Sequence, residues 1–135
     1  MKKITPLLTV ESIEPCLPFW TEKLGFEVPV TVPHGDALGF AILQKGEVEL
    51  MYQTRASIEA DLGKSGAPAN LGRELSGSTA TLFCEVERLD DLLEALGDDV
   101  EVLVPRRQTF YGMDEVFVRP PCGTVVGFAA RVETE

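Results

Sequence analysis

Apolar and polar positions in this chain follow one pattern twice. Residues 4–10 alternate, with Leu8 and Val10 on one side and Thr5, Leu7 and Thr9 on the other, as in a half-buried strand. Ile13, Leu17, Trp20 and Leu24 then recur at helical spacing behind Ser12, a helix-capping residue type, with Pro15 and Pro18 near the start and Gly25 as the stop. The sequence next predicts an extended run from Phe26 to Val32 and a turn at Pro33–Asp36. A hairpin of Ala37–Leu43 and Glu47–Gln53 follows across Gln44-Lys45-Gly46. The same order returns later in the chain. It consists of a strand over 79–86, a helix from Leu89 to Leu96 stopped at Gly97, and a strand over Val100–Val104 closed by Pro105. A second hairpin, Phe110–Arg119 and Thr124–Val132, turns at Pro120-Pro121-Cys122-Gly123. A shift of 76 residues carries Thr5 onto Thr81, Leu7 onto Phe83 and Trp20 onto Leu96. One β-α-β-β-β unit is therefore used twice. Module one covers about 1–54 and module two 79–135. Between them, 55–78 is a connector with a short helix over Ala56–Leu62 and a Gly/Pro/Ser/Ala-rich stretch. The whole is expected to be a single domain of α+β class, its two modules building a mostly antiparallel sheet.

Composition narrows the function classes. The 135 residues are 44% hydrophobic and 25% charged, enough for a real core. With 22 acidic against 12 basic residues the formal charge is −10, which argues against nucleic acid as a partner and favours cationic small molecules. Cys16, Cys84 and Cys122 show no metal-ligand spacing, so Cys16 and Cys84 read as buried thiols of a reducing compartment. The apolar run behind Met1-Lys2-Lys3 is cut by Pro6 and is too short for a signal peptide core. No run approaches membrane-spanning length. A cytoplasmic protein with no membrane contact is expected. Gly63-Lys64-Ser65 lacks the earlier glycine of a phosphate loop, and the lone His34 reads as a surface turn residue.

Several motifs together carry a family resemblance: Leu8-Thr9-Val10, Pro18-Phe19-Trp20, Leu24-Gly25-Phe26, the run from Leu43 to Leu50, Val86 to Leu92, Tyr111-Gly112-Met113 and Arg119 to Gly123. In order and spacing the chain resembles the vicinal oxygen chelate superfamily of glyoxalases, bleomycin-resistance proteins and dioxygenases. The resemblance implies two cupped modules, a small molecule inside and a homodimer. In metal-dependent members it also implies one His, Gln or Glu ligand from the first and fourth strand of each module. The matching positions here are Thr5, Thr81 and Gly127, with Glu49 the lone ligand type, or Met51 if the register slips by two residues. Threonine is a poor ligand and one carboxylate cannot hold a catalytic transition metal. No metal and no cofactor are therefore expected, and the resemblance points to the metal-free, drug-sequestering branch.

Alternation then nominates Thr5, Leu7, Glu49, Met51, Thr81, Phe83, Tyr111 and Gly127 as ligand-binding residues, with Gly127 opening space at the floor. Arg106 and Arg107 stand at the rim. Two other functions stay open: an enzyme of the same superfamily, lyase, transferase or dioxygenase-like, using Glu49 as acid or base, and a non-catalytic interaction protein with a filled cavity.

Overall fold

The computed structural model describes residues 1–77 and 79–132. The chain forms two compact units, Met1–Ser78 and Thr79–Glu135, each a mixed four-stranded sheet with helices on an α+β plan.

The first unit contains β1 (Leu7–Val10), β2 (Glu27–His34), β3 (Ala37–Lys45) and β4 (Val48–Thr54), in the order β1-β4-β3-β2. β1 runs parallel to β4, and the other pairings are antiparallel. Leu8, Val10, Ala41, Leu43, Leu50 and Tyr52 are buried, so alternation sends one face of the sheet to the core. Ile13, Cys16, Phe19, Trp20 and Leu24 fill that core from the segment between β1 and β2. Trp20 stacks edge-on between Phe19 and Phe26, and its indole N–H donates to the Tyr52 hydroxyl at 2.9 Å. A buried Trp thereby finds the acceptor it needs.

That segment is not the single capped helix expected from its spacing. It is a 3₁₀ turn, Glu14–Cys16, followed by a π-helical turn, Phe19–Lys23, and neither has a side-chain cap. Pro15 and Pro18 offer no N–H to a continuous ladder, so the chain is wound differently on each side of them. The apolar stripe shifts with it: Cys16 and Phe19 are buried, while Leu17 is only half-buried. Cys16 is disulfide-bonded rather than a thiol, a pairing for which its sequence context gives no spacing signal. Cys84 is the free, half-buried cysteine.

The connector is more ordered than its composition implies. α1 (Arg55–Gly63) starts on Thr54, whose hydroxyl accepts from the Ser57 N–H at 3.1 Å. α2 (Leu71–Gly77) follows; the helices pack on each other, α2 on β1 and α1 on β3 and β4.

The second unit contains β5 (Thr81–Glu85), α3 (Leu89–Leu96), β6 (Glu101–Gln108), β7 (Met113–Arg119) and β8 (Val125–Arg131), with sheet order β5-β8-β7-β6. Leu89, Leu92 and Leu96 of α3 are buried, as are Val116, Val118, Val126, Phe128 and Ala130 of the sheet. β6 continues through Pro105 instead of ending there. It is an edge strand with two irregularities in its pairing, where a missing N–H is tolerated. Phe110 and Tyr111, expected inside a strand, lie in the turn before β7.

Candidate functional site

Each sheet buries one face and leaves the other partly open. In the first unit the open face is laid out in rungs across β1, β4, β3 and β2. One rung is Leu7, Met51, Ile42 and Val30, and the next is Thr9, Gln53, Phe40 and Val32. The preceding step holds Glu49, opposite Gln44 and Glu27. Thr5 lies just before the β1 ladder, whose start is marked by the Met51 N–H donating to the Pro6 carbonyl at 2.9 Å.

The corresponding rungs in the second unit are Phe83, Gly127 and Phe117, then Glu85, Ala129, Glu115 and Arg107, with Thr81 opposite Val125 one step earlier. These ladders decide the register. Leu7–Met51 corresponds to Phe83–Gly127, and Val125 is the repeat counterpart of Glu49. Glu49 and Gly127, set side by side as equivalent positions in the sequence reading, belong to different rungs.

The eight nominated residues therefore divide between the units. Thr5, Leu7, Glu49 and Met51 belong to the first, and the ladder brings Leu7 and Met51 together. Thr81, Phe83, Tyr111 and Gly127 belong to the second, with Phe83 beside Gly127. Glu49 is 18% exposed and accepts from the Lys3 ammonium at 3.0 Å. Leu7 and Phe83 are exposed for apolar side chains on a sheet. Gly127 does not open the floor. A Cβ placed there would lie 2.5 to 2.9 Å from the Phe117 ring, so that ring already fills the space above the glycine.

On this face sequence reasoning missed Glu115. Its side chain is 0% exposed, yet it points to the open side of β7. Arg107, its cross-strand neighbour, donates from Nη2 at 2.7 Å and from Nε at 3.1 Å to Glu115 Oε1. The Tyr111 hydroxyl sits 2.8 and 2.9 Å from the two carboxylate oxygens. A buried carboxylate needs such partners. The available signal was the shared parity of positions 111, 113, 115 and 117. Arg106 points elsewhere, to Asp90 and Asp114 at 2.6 and 2.7 Å, and these carboxylates hold its guanidinium charged well beyond its ordinary range, Asp114 first.

The first unit also holds a groove of about 520 Å³ between its sheet and α1. Val32, Pro33 and Phe40 give it apolar walls, and Gln53, Ser57 and His34 give it polar ones. His34, expected in a surface turn, thus ends β2 at the groove's edge. Gln53 donates to Ser57 at 3.2 Å. Among the described residues no three or more His, Cys, Asp or Glu side chains gather as metal ligands would. No helix among them is long and apolar enough to cross a membrane.

The chain thus repeats one plan, a four-stranded mixed sheet with one buried and one partly open face. The chain belongs to the Glyoxalase/Bleomycin resistance protein/Dioxygenase superfamily, whose family model matches residues 4–128. Among solved structures, it is similar to TioX from Micromonospora sp. ML1, with a TM-score of 0.73 and 14% identity over 98% of this chain and 100% of that one. A glyoxalase/bleomycin resistance protein/dioxygenase from Nocardioides gives 0.70 and 25% identity over 100% and 87%. TnmS3, an antibiotic binding protein from Streptomyces sp. CB03234, gives 0.63 and 16% identity over 97% and 98%. At 14% and 16% identity the likeness is one of fold. No curated protein sequence matches the chain.

Proposed function

We propose that this protein binds a small organic molecule without a metal or cofactor, in the manner of the drug-sequestering members of its superfamily. The observation that carries the reading is the make-up of the paired rungs. Leu7–Met51 and Phe83–Gly127 offer no metal-ligating side chain of the His, Gln or Glu type, and the adjoining positions Thr5, Glu49, Thr81 and Val125 offer one. Apolar walls with few oriented polar groups suit binding of an organic ligand. The net charge of −10 supports a cationic ligand, and the fold shared with an antibiotic binding protein supports an antibiotic as its natural form. In this reading the ligand-facing residues are Thr5, Leu7, Glu49, Met51, Thr81, Phe83 and Tyr111, with Gly127 covered by the Phe117 ring, and the protein is a homodimer.

The test joins metal analysis of the purified protein to a thermal-shift screen of transition metals and cationic antibiotics. The expected result is no stoichiometric metal, no stabilisation by metals, and a concentration-dependent shift with an organic cation. A tightly bound transition metal at one per chain would overturn it.

One observation favours a second reading, in which the protein is an enzyme. Glu49 is a mostly buried carboxylate on the open face of the first unit, placed where an acid or base would serve. Turnover of a candidate substrate that disappears in Glu49→Gln, with ligand affinity retained, would establish it.

A further inference from the structure

We propose that the groove between α1 and the first sheet is a second ligand site, built for a small zwitterion of the apolar amino-acid type. The inference goes beyond the function proposed above, because no residue lining the groove is among those assigned to that ligand.

α1 divides its surface three ways. Ile58 is buried and Leu62 half-buried on the side that meets the core. Arg55 and Glu59, paired at 2.9 Å, face α2, where a Cβ on Gly72 would lie 3.1 Å from Arg55 Cγ and 2.7 Å from Glu59 Cγ. Ser57, Ala60, Asp61 and Lys64 remain, and their spacing puts them on one further face of the helix. All four line the groove of about 520 Å³, together with the apolar side chains of Val32, Pro33 and Phe40.

One end of the groove is closed at Gly39. A Cβ there would lie 2.6 Å from His34 Cβ and 3.1 Å from Ser57 Cβ, so the end of β2 and the first turn of α1 meet on β3 at a residue without a side chain. At the same end the Gln53 amide donates to the Ser57 hydroxyl at 3.2 Å. Those two polar groups partner each other, and the charges lie further along the helix.

Asp61 and Lys64 are exposed, and neither side chain pairs with another described residue, in contrast to Arg55 and Glu59. Side chains three residues apart on a helix stand about 5–6 Å apart at Cβ, close enough for one small molecule to bridge them. An ammonium on Asp61 and a carboxylate on Lys64 satisfy both at once. The body of the ligand then lies across Ala60, whose methyl group leaves room, towards Phe40, Val32 and Pro33. A ligand with a single charge gains from one of the two side chains and is opposed by the other. That selects a zwitterion over a simple cation, despite the chain's net −10. A helix face that only met water would also carry charges, but it would not share a groove with three apolar side chains.

Titration calorimetry of the full chain with L-phenylalanine, phenethylamine and 3-phenylpropanoate tests the charge pattern. The amine is phenylalanine without its carboxylate, and the acid is phenylalanine without its ammonium. L-Phenylalanine is expected to bind the wild type, and each analogue about three- to fivefold more weakly, the worth of one exposed ion pair. Asp61→Asn should weaken phenylalanine and phenethylamine by about the same factor and spare phenylpropanoate; Lys64→Gln should weaken phenylalanine and phenylpropanoate and spare the amine. Both side chains are exposed, so both variants should melt as the wild type does. Ala60→Leu, which fills the groove and leaves both charges in place, should remove binding of all three. No binding of phenylalanine, an analogue that binds as tightly as phenylalanine, or wild-type affinity for phenylalanine in either charge variant would each overturn the site. Binding that survives Ala60→Leu would put the ligand on another face and overturn it as well. None of these outcomes bears on the open-face ligand, whose residues the variants leave intact.

Discussion

The two modules place a carboxylate on the open face of each sheet, and they treat it in opposite ways. Glu49 of the first meets one ammonium, that of Lys3, on an exposed side chain outside the sheet. Glu115 of the second is wholly buried and bound by a guanidinium and a phenol, one from the neighbouring strand and one from the adjacent turn. The floors differ as well. Where the first module has the side chain of Met51, the second has Gly127 under the Phe117 ring. A repeated backbone therefore carries one face whose carboxylate has a single surface partner and one whose carboxylate is locked between two. Under the proposed binding function, specificity is expected from the second and accommodation from the first.

Removing the cation from each carboxylate should separate the faces most strongly. Arg107→Ala strands a buried charge that keeps only Tyr111. An uncompensated buried partner costs about 3–5 kcal/mol where both groups are buried; with Arg107 half-exposed, about 2–3 kcal/mol is expected. Lys3→Ala loses a surface pair worth less than about 1 kcal/mol. Urea denaturation of the two variants measures both. Equal losses would mean that the faces are not differently organised.

The floor gives the next largest effect. Gly127→Ala drives a methyl group into the Phe117 ring, and overpacking of this kind costs about 1–3 kcal/mol. Phe117→Leu in the same chain should recover part of the loss. A double-mutant cycle with a coupling of at least about 0.5 kcal/mol checks that the ring and the glycine act as one unit. Additive losses would show that the ring moves aside freely. Met51, the counterpart in the first module, already carries a long side chain, so no such coupling with Ile42 is expected there.

How much of this was legible depended on whether the signal was local. Alternation placed Leu8, Val10, Leu50 and Tyr52 on the buried face and Leu7, Glu49, Met51 and Phe83 on the other, because side chains in a strand alternate whatever surrounds them. α3 was readable, since its leucines repeat at helical spacing. The segment after β1 was misread, because two prolines within one apolar stripe leave the periodicity intact while removing the hydrogen bonds. α2 was missed because its packing is supplied by α1 and β1 rather than by an apolar stripe of its own. Glu115 was invisible for a related reason. Its partners are Arg107 and Tyr111, neither of them next to it in sequence. The fill above Gly127 likewise depends on a ring in another strand.

The smallest contrast lies at the start of each helical segment, where the repeat sets Glu14 against Asp90. Glu14 Oε1 accepts from the backbone N–H of Leu38 at 2.6 Å, tying the turn to β3; Asp90 accepts from Arg106 at the same distance. The Leu38 bond is the chief cause that lowers the Glu14 carboxyl below its ordinary 4.5, with its own backbone and the Ser12 hydroxyl helping. A carboxyl whose folded pKa is depressed stabilises the fold above its unfolded pKa, and that contribution fades as pH falls through the folded value. Glu14→Gln should therefore flatten the acid limb of the stability curve below about pH 4.5 and leave its salt dependence nearly unchanged, since the acceptor's partner is a neutral amide. Asp90→Asn removes an exposed ion pair and should instead reduce the sensitivity of stability to added salt near neutral pH. Urea midpoints across pH and ionic strength measure both limbs. If Glu14→Gln leaves the acid limb as it was, the Leu38 bond is not formed in solution, and the first module's turn is held by its buried Ile13, Phe19 and Trp20 and by the Cys16 disulfide.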